Sequence, residues 1–472
     1  MRHYTRTFLL PLVVMVVVAS ACNVAKEYTK PDLELPATFA PVPYADTSSI
    51  ADVEWKQFFN DATLQALIEK GLAYNHDLLI ATRRIEIATQ QLSQANALHL
   101  PSLNLQVTGQ YNRPANNSLN GLSLKNFVGN SYIENYSTLA SLSWEVDVWG
   151  KIKAQKGIAL AEYLQSYEGR KAVQTRVVAT IAQGYFNLLM LDQQLVITRR
   201  NLALSDSFVL ATKLLKDAGI TNTLAVEQAE AQKQATALLL PQLEQAVSLQ
   251  ENALQQLTGQ LPGKVERSHS FNGHTLPVVS NPGLPAAMVS RRPDVRSSEL
   301  ALLVASSQIG IAKANMYPAL NITAGGGLES FKRSNWFNVP NSLFGLVAGS
   351  IAQPIFQRKA LRTQLEIAKI RREEAVISFR QNVLKAVTEV SDALVQLQKT
   401  GEQEVIAASQ VKTLQSAVAN AQLLFNSDMA NYLEVITAQA AGLQAQLKLV
   451  ALQRQRWGAV VELYRSLGGG WK

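Results

Sequence analysis

A mostly α-helical protein that carries a transmembrane β-barrel is the fold class the sequence predicts, and three observations predict it. Two long tracts, from Pro114 to Pro241 and after Pro354, hold no internal proline and are rich in Ala, Leu, Gln, Glu and Lys, the strong helix formers. Segments of about ten residues, two of them regular, alternate apolar and polar side chains, the period of a strand with one dry and one wet face. The order helix, proline, alternating segment, long helix, turn, helix then occurs twice in one chain, about 210 residues apart.

The bulk properties fit such a protein. The chain has 472 residues, 47% hydrophobic and 17% charged, which gives material for two or three domains or one large elongated one. Net charge is +8, from 44 basic against 36 acidic residues. The charges are dispersed, without the clustered Lys/Arg stripe that nucleic-acid binding requires, so they read as a solvated surface. The lone cysteine excludes an intrachain disulfide framework and a Cys-based zinc cluster.

Residues 1–21 place Arg2 and Arg6 before an apolar core from Phe8 to Val18, followed by Ala19, Ser20 and Ala21. That order is a secretion signal, with an apolar core too short to span a bilayer. Directly behind the small residues stands Cys22, the one cysteine, in what resembles a lipoprotein processing site. Cleavage there leaves Cys22 as the first residue, its sulfur carrying diacylglycerol, and several acyl chains anchor firmly. Asn23 stands where an aspartate would favour inner-membrane retention, which points to outer-membrane sorting. Residues 22–60 follow as an anchored extended segment with Pro31, Pro36, Pro41 and Pro43. No later apolar run approaches the ~20 residues of a spanning helix, so any membrane crossing must use strands.

Lys151 to Asp217 reads as one helix of about 100 Å, at 1.5 Å per residue. Ile158, Ala161, Leu164 and Tyr167, then Val177, Ile181, Tyr185, Leu188, Leu191 and Leu195, form a stripe for packing on neighbouring helices. Gly157, Gly169 and Gly184 lie inside it, which predicts close helix approach at each. The turn KLLKDAGITNTLAVEQAEAQ (213–232) aligns with QLLFNSDMANYLEVITAQAA (422–441).

LNLQVTGQYN (103–112) sets Leu103, Leu105, Val107 and Tyr111 against Asn104, Gln106, Thr108, Gln110 and Asn112. SLSWEVDVW (141–149) sets Leu142, Trp144, Val146 and Val148 against Ser141, Ser143, Glu145 and Asp147. ALNITAGGG (319–327) keeps the pattern weakly, and SLFGLVAGSIAQP (342–354) is ambiguous. The stretches 113–135 and 332–341 read as exposed loops with interfacial aromatics. On pattern alone the strands suit a soluble sandwich edge as well as a membrane. If they meet lipid, open edges are forbidden and several chains must pool them. Two chains give eight strands and a filled interior; three give twelve and a lumen.

At this point the chain resembles the TolC-type outer membrane efflux proteins, in their lipid-anchored branch. The resemblance covers essentially all of the mature chain. It rests on WKQFFNDATLQALIEKGLAYNHDL (55–78), SWEVDVWGKIKAQ (143–155), RRPDV (291–295), QPIF (353–356) and LYRSLGGGW (463–471), in order across both copies. It implies a homotrimer whose twelve-stranded barrel continues into a twelve-helix tube across the periplasm. A first repeat would fill 61–265, with a helix near 62–98, strands 102–113 and 136–149, long helix 151–217, tip 218–222 and helix 222–259. A second would fill 266–472, with helix 295–316, strands 319–331 and 342–354, long helix 357–427, tip 428–431 and helix 430–466. A mixed belt near 45–60, 260–292 and 467–472 would ring the tube.

The resemblance further implies an adaptor-docking tip at Gly219, Thr221, Asn222, Asp428 and Asn431, and a periplasmic gate at Leu433 and Glu434. Asp428 stands where the family's tip glycine would be, a departure. Three copies of Glu434 would ring the gate with carboxylates and favour cations. Ala225, Ala430 and Thr437 replace residues that are charged in some relatives, which argues against a salt-bridged lock. The implied partners are a periplasmic adaptor, an inner-membrane pump of the RND type and outer-membrane lipid.

Nothing marks an enzyme. G-x-S-x-G, P-loop and H-E-x-x-H motifs are absent, and His269 and His274, five apart, share no helical face. No cofactor or metal is expected, and six methionines make no metal relay. The expected function is a passive exit duct for drugs or other small molecules. Alternatives are a duct for type I protein secretion and a non-spanning adaptor lipoprotein, which would leave the duplicated strands unexplained.

Overall fold

The computed structural model describes residues 52–127, 129–268, 291–427 and 429–471. Cys22, the signal, the tether, His269, His274 and Asp428 lie outside them. In chain order the elements are α1 (Trp55–Phe58), α2 (Ala62–Tyr74), α3 (His76–Ala97), β1 (Ser102–Asn112), α4 (Leu119–Phe127), β2 (Ile133–Val146), α5 (Lys151–Asp217) and α6 (Thr223–Leu257). After these come α7 (Pro293–Ala314), β3 (Ala319–Ser330), β4 (Leu343–Ala352), α8 (Ala360–Asn426) and α9 (Tyr432–Ser466).

Trp55–Phe58, expected as part of an extended segment, forms α1, several element ends move by one or two residues, and four further departures have a visible physical reason. The helix expected over 62–98 is two, because Asn75 is extended (φ −63°, ψ 124°). Its side-chain Nδ2 donates to the Leu257 carbonyl at 2.9 Å while its Oδ1 accepts from Leu78 N. The strand expected at 136–149 runs Ile133–Val146 instead. Asp147 leaves it to accept from the amides of Ile152 and Lys153 at 3.0 and 2.9 Å, capping α5, with Gly150 turning the chain at φ +75°. Helix α8 starts at Ala360 rather than 357, since Arg358 and Lys359 hold left-handed φ of 48° and 66°. The expected loop 113–135 contains α4, where Gly121 lies against the Ala115 carbonyl and leaves no room for a Cβ.

One compact unit comprises 86–164 and 299–377, the other 52–85, 165–268, 291–298 and 378–471. The first is built on an antiparallel sheet in the order β1-β2-β3-β4. The second has its main core where α1, α2, the middle of α5 and the end of α9 meet. There Phe58 stacks on Tyr464 at 4.0 Å and Phe186 on Trp457 at 4.6 Å. Of the three interior glycines of α5, only Gly184 meets the expectation of close approach: a Cβ there would lie 2.8 Å from Leu254 Cδ2. At Gly157 and Gly169 nothing in this chain lies within 4 Å.

Contrary to the sequence reading, α9 is long and apolar enough to cross a membrane by length and composition alone. Val435, Leu443, Val450 and Leu452 of that apolar stretch are buried in the single chain, and the end of the helix puts Val460, Val461 and Tyr464 in the main core.

Candidate functional site: the hairpin tips and the two-faced sheet

The tip of the first hairpin is a helix end closed by glycine. Gly219 sits at φ +75°, its amide donating to the Lys216 carbonyl while Ile220 N donates to Leu215 O, both at 2.9 Å. This is a Schellman closure, in which a left-handed residue satisfies the last carbonyls. In the second hairpin Met429 N donates to Leu424 O at 2.8 Å, the same five-residue span.

Both tips restart with a capping asparagine. Asn222 Oδ1 accepts from Ala225 N at 3.0 Å. Asn431 Oδ1 accepts from Leu433 N and Glu434 N at 2.9 and 3.2 Å, while Glu434 Oε2 accepts from Asn431 N at 3.1 Å. Glu434 thus completes a capping box, and its carboxylate folds back on the start of α9. Leu433 beside it is exposed, Thr221 is half-buried, and Ile220, Leu224, Leu423 and Met429 present apolar surface around the turns.

Behind the tips the four helices share one cluster. Phe208 and Val209 of α5, Ala229 of α6 and Val435 of α9 are buried, the half-buried Phe425 of α8 packs against them, and Phe208 meets Phe425 at 5.3 Å. Ala225 is fully buried, so a charged lock residue would not fit there without repacking. Lys233 bridges Asp206 at 3.0 Å and Glu230 at 3.6 Å, and the hydrogen bond it donates to Asp206 holds its ammonium above the usual lysine value.

A second ionic group lies far from the tip, and sequence reasoning missed it. Arg292 is buried and donates to Asp294 at 2.6 Å, Glu389 at 2.8 Å and the Ser466 carbonyl at 2.9 Å. Burial opposes ionisation of both Arg292 and Asp294. Their mutual bond outweighs it, so the guanidinium stands above and the carboxyl below its usual value. Arg465 joins through Glu389 and Glu462. The RRPDV segment that carries the resemblance is therefore a clamp on the end of α9. Only the motif was visible, because Glu389 is remote in sequence.

The sheet's register sorts its residues more cleanly than any single strand does. Paired residues share a face, so Leu103, Leu142, Ala324 and Val347 form one row, and Val146, Leu320 and Ile351 another, with Trp144 beside Ile322 between them. The opposite face carries Ser102, Ser143, Thr323 and Ala348, then Asn104, Ser141, Gly325 and Leu346, then Glu145, Asn321 and Ser350. The weak third strand is explained by packing, since a Cβ on Gly327 would lie 1.9 Å from the Thr138 carbonyl. Lys151 neutralises Glu145 at 2.8 Å. Both outer edges, β1 and β4, are open among the described residues. Among the described residues no cluster of three or more His, Cys, Asp or Glu could hold a metal.

Comparison with known proteins agrees with this geometry. The chain is 30% identical over 462 residues to the cation efflux system protein CusC of Escherichia coli O6:H1, covering 96% of each chain. It is 28% identical over 466 residues to the probable outer membrane lipoprotein SilC of Salmonella typhimurium, covering 98% of each. Its fold superposes on a crystal structure of CusC with a TM-score of 0.84, at 27% identity over 95% of this chain and 100% of that one. The outer-membrane channel OprN gives 0.84 at 25% identity, over 95% and 100%. Residues 67–260 and 284–469 match the outer membrane efflux protein family, and the chain belongs to that family.

Proposed function

We propose that this chain is the outer-membrane exit duct of a tripartite efflux system, passing small molecules delivered by an inner-membrane pump and a periplasmic adaptor. Three copies pool their sheets into a twelve-stranded barrel, apolar rows toward lipid and polar rows toward water. The observation that carries this reading is the register: four strands form one face that is apolar apart from Thr138, Ser330 and Glu134 toward its loop end, and one largely polar face interrupted by Leu139, Phe344 and Leu346, between edges left open among the described residues. Open edges cannot stand in hydrocarbon, so closure by further copies follows. Among relatives, CusC is named for cation efflux and a Pseudomonas putida protein, TtgC, for toluene efflux. One duct architecture therefore serves chemically different cargo, and specificity rests with the pump.

Gly219, Thr221, Asn222, Asp428 and Asn431 form the end on which the adaptor docks, a role supported by the exposed apolar residues around both turns. Leu433 and Glu434, at the first turn of α9, narrow the periplasmic mouth. Cys22 carries the lipid. Purified protein should run as a trimer in mild detergent and give single-channel currents in planar bilayers. A monomer without conductance would end the proposal. Cys22→Ser should abolish palmitate labelling, and persistent label would overturn the anchor.

A further inference from the structure

Helix α4 leaves its apolar side bare. Leu119, Leu122 and Phe127 are 81%, 52% and 89% exposed and span an arc of about 140° at 100° per residue. The helix is not a loose excursion, because Gly121 packs tightly on the Ala115 carbonyl. The β3–β4 loop, at the same end of the sheet, exposes Phe331, Phe337 and Val339. Between these loops and the strands lie aromatic pairs, Tyr111 on Tyr132 at 4.8 Å and Tyr136 on Trp336 at 5.4 Å. Tyr111 and Tyr136 belong to the apolar face, so they mark the membrane–water boundary, and α4 lies beyond it in sequence on both sides. Lipid tails do not cover it there.

Ring closure says what does. Strands β2 and β3 are internal, so among the described residues the free edges are β1 and β4, and β1 of one copy must meet β4 of the next. The β1–β2 loop, with α4, rises from the end of β1 at Asn112, and the β3–β4 loop descends into β4 at Leu343. On its β2 side the first loop's neighbour is the same chain's β3–β4 loop, reached through Trp336 and Tyr136. On its β1 side the neighbour is the β3–β4 loop of the next copy.

We infer that α4 is an intersubunit clasp at the outer rim of the barrel, its Leu119, Leu122 and Phe127 seated on the partner loop around Phe337 and Val339. The inference rests on the trimeric barrel proposed above. The bare faces of helix and loop cover one another, and three such contacts close the ring above the membrane.

The test uses the full-length protein in native membranes. Leu119→Cys combined with Phe337→Cys, oxidised with a copper catalyst, should convert monomer bands to covalent dimers and trimers on non-reducing gels. Neither single variant should do so, which also controls for Cys22. Phe127→Cys should resist a maleimide in the membrane and react once the trimer is dissociated. An amine-reactive cross-linker on the same samples reports whether the trimer is present at all. Trimers without a disulfide-linked product, with Phe127→Cys freely labelled, overturn the clasp and leave the duct standing. Quenching at Phe127→Cys by a lipid-borne nitroxide would assign the face to lipid instead, and also overturn it. Loss of the amine-linked trimer would point to failure of the barrel itself.

Discussion

At single residues, two side chains make separable claims. Glu434 holds the start of α9 through its capping box, and the same carboxylate is the one proposed to ring the gate. Glu434→Gln keeps an acceptor for Asn431 N but removes the charge, costing the helix about 0.3–1 kcal/mol at its N-terminus. Glu434→Ala loses both. If the carboxylates line the constriction, both variants should weaken cation preference in planar bilayers, while only the alanine variant should also show a looser α9 by hydrogen exchange. Unchanged reversal potentials in both would confine Glu434 to capping. Tyr185 is fully buried, and its hydroxyl donates to Asp61 Oδ2 at 2.6 Å. Burial, with the Asp61 bond behind it, pushes the phenol up to about 12 from its ordinary 10.0. The folded state therefore holds this proton more tightly than the unfolded chain. Its stabilisation is complete below pH 10 and is lost as the pH rises toward 12. Tyr185→Phe should lower stability by roughly 0.5–1.5 kcal/mol at pH 8 and flatten that alkaline decline in thermal melts. An equally steep decline in the variant would show that other groups set it.

Among the elements, the hairpin turns isolate what backbone conformation contributes. Gly219 is left-handed with nothing within 4 Å of where a Cβ would stand. Gly219→Ala thus meets no clash and should cost roughly 1–2 kcal/mol from the conformation alone, with Gly219→Asn costing less. Thermal melts of the pair would check it, and equal losses would mean the turn is not held left-handed. This turn was legible because glycine followed three residues later by asparagine is a local signal, and the long helix was legible because its proline-free run of strong helix formers is one too. The strand end at Val146 was not, since Asp147 reads as one more polar residue of an alternating run until its two helix amides are seen. Nor was the break at Asn75, whose partner Leu257 is far along the chain. In β3 and β4 glycines blur the alternation, and only pairing with β2 restores the apolar rows. The tip and gate positions came from resemblance, because a turn's residues say where a hairpin reverses and not what docks on it.

For the whole molecule, everything depends on which way the sheet faces once three copies close. Leu105 and Gln106 are neighbours on β1 with opposite faces, paired with Ala140 and Leu139 respectively. Leu105 is 72% exposed in the single chain, as a lipid-facing residue must be before it meets lipid. Leu105→Arg would put a guanidinium on the hydrocarbon side, at about 2–4 kcal/mol per copy near the bilayer midplane, and threefold symmetry repeats the cost. Gln106→Arg would put the same group in the water-filled lumen, where hydration is kept. The first variant should therefore lose outer-membrane trimers in density-gradient fractions while circular dichroism still reports a helical protein. The second should assemble normally and shift the reversal potential toward anions. Were Leu105→Arg to insert and conduct while Gln106→Arg failed, the faces would be assigned the wrong way round. Were both tolerated, the sheet would not be crossing lipid at all.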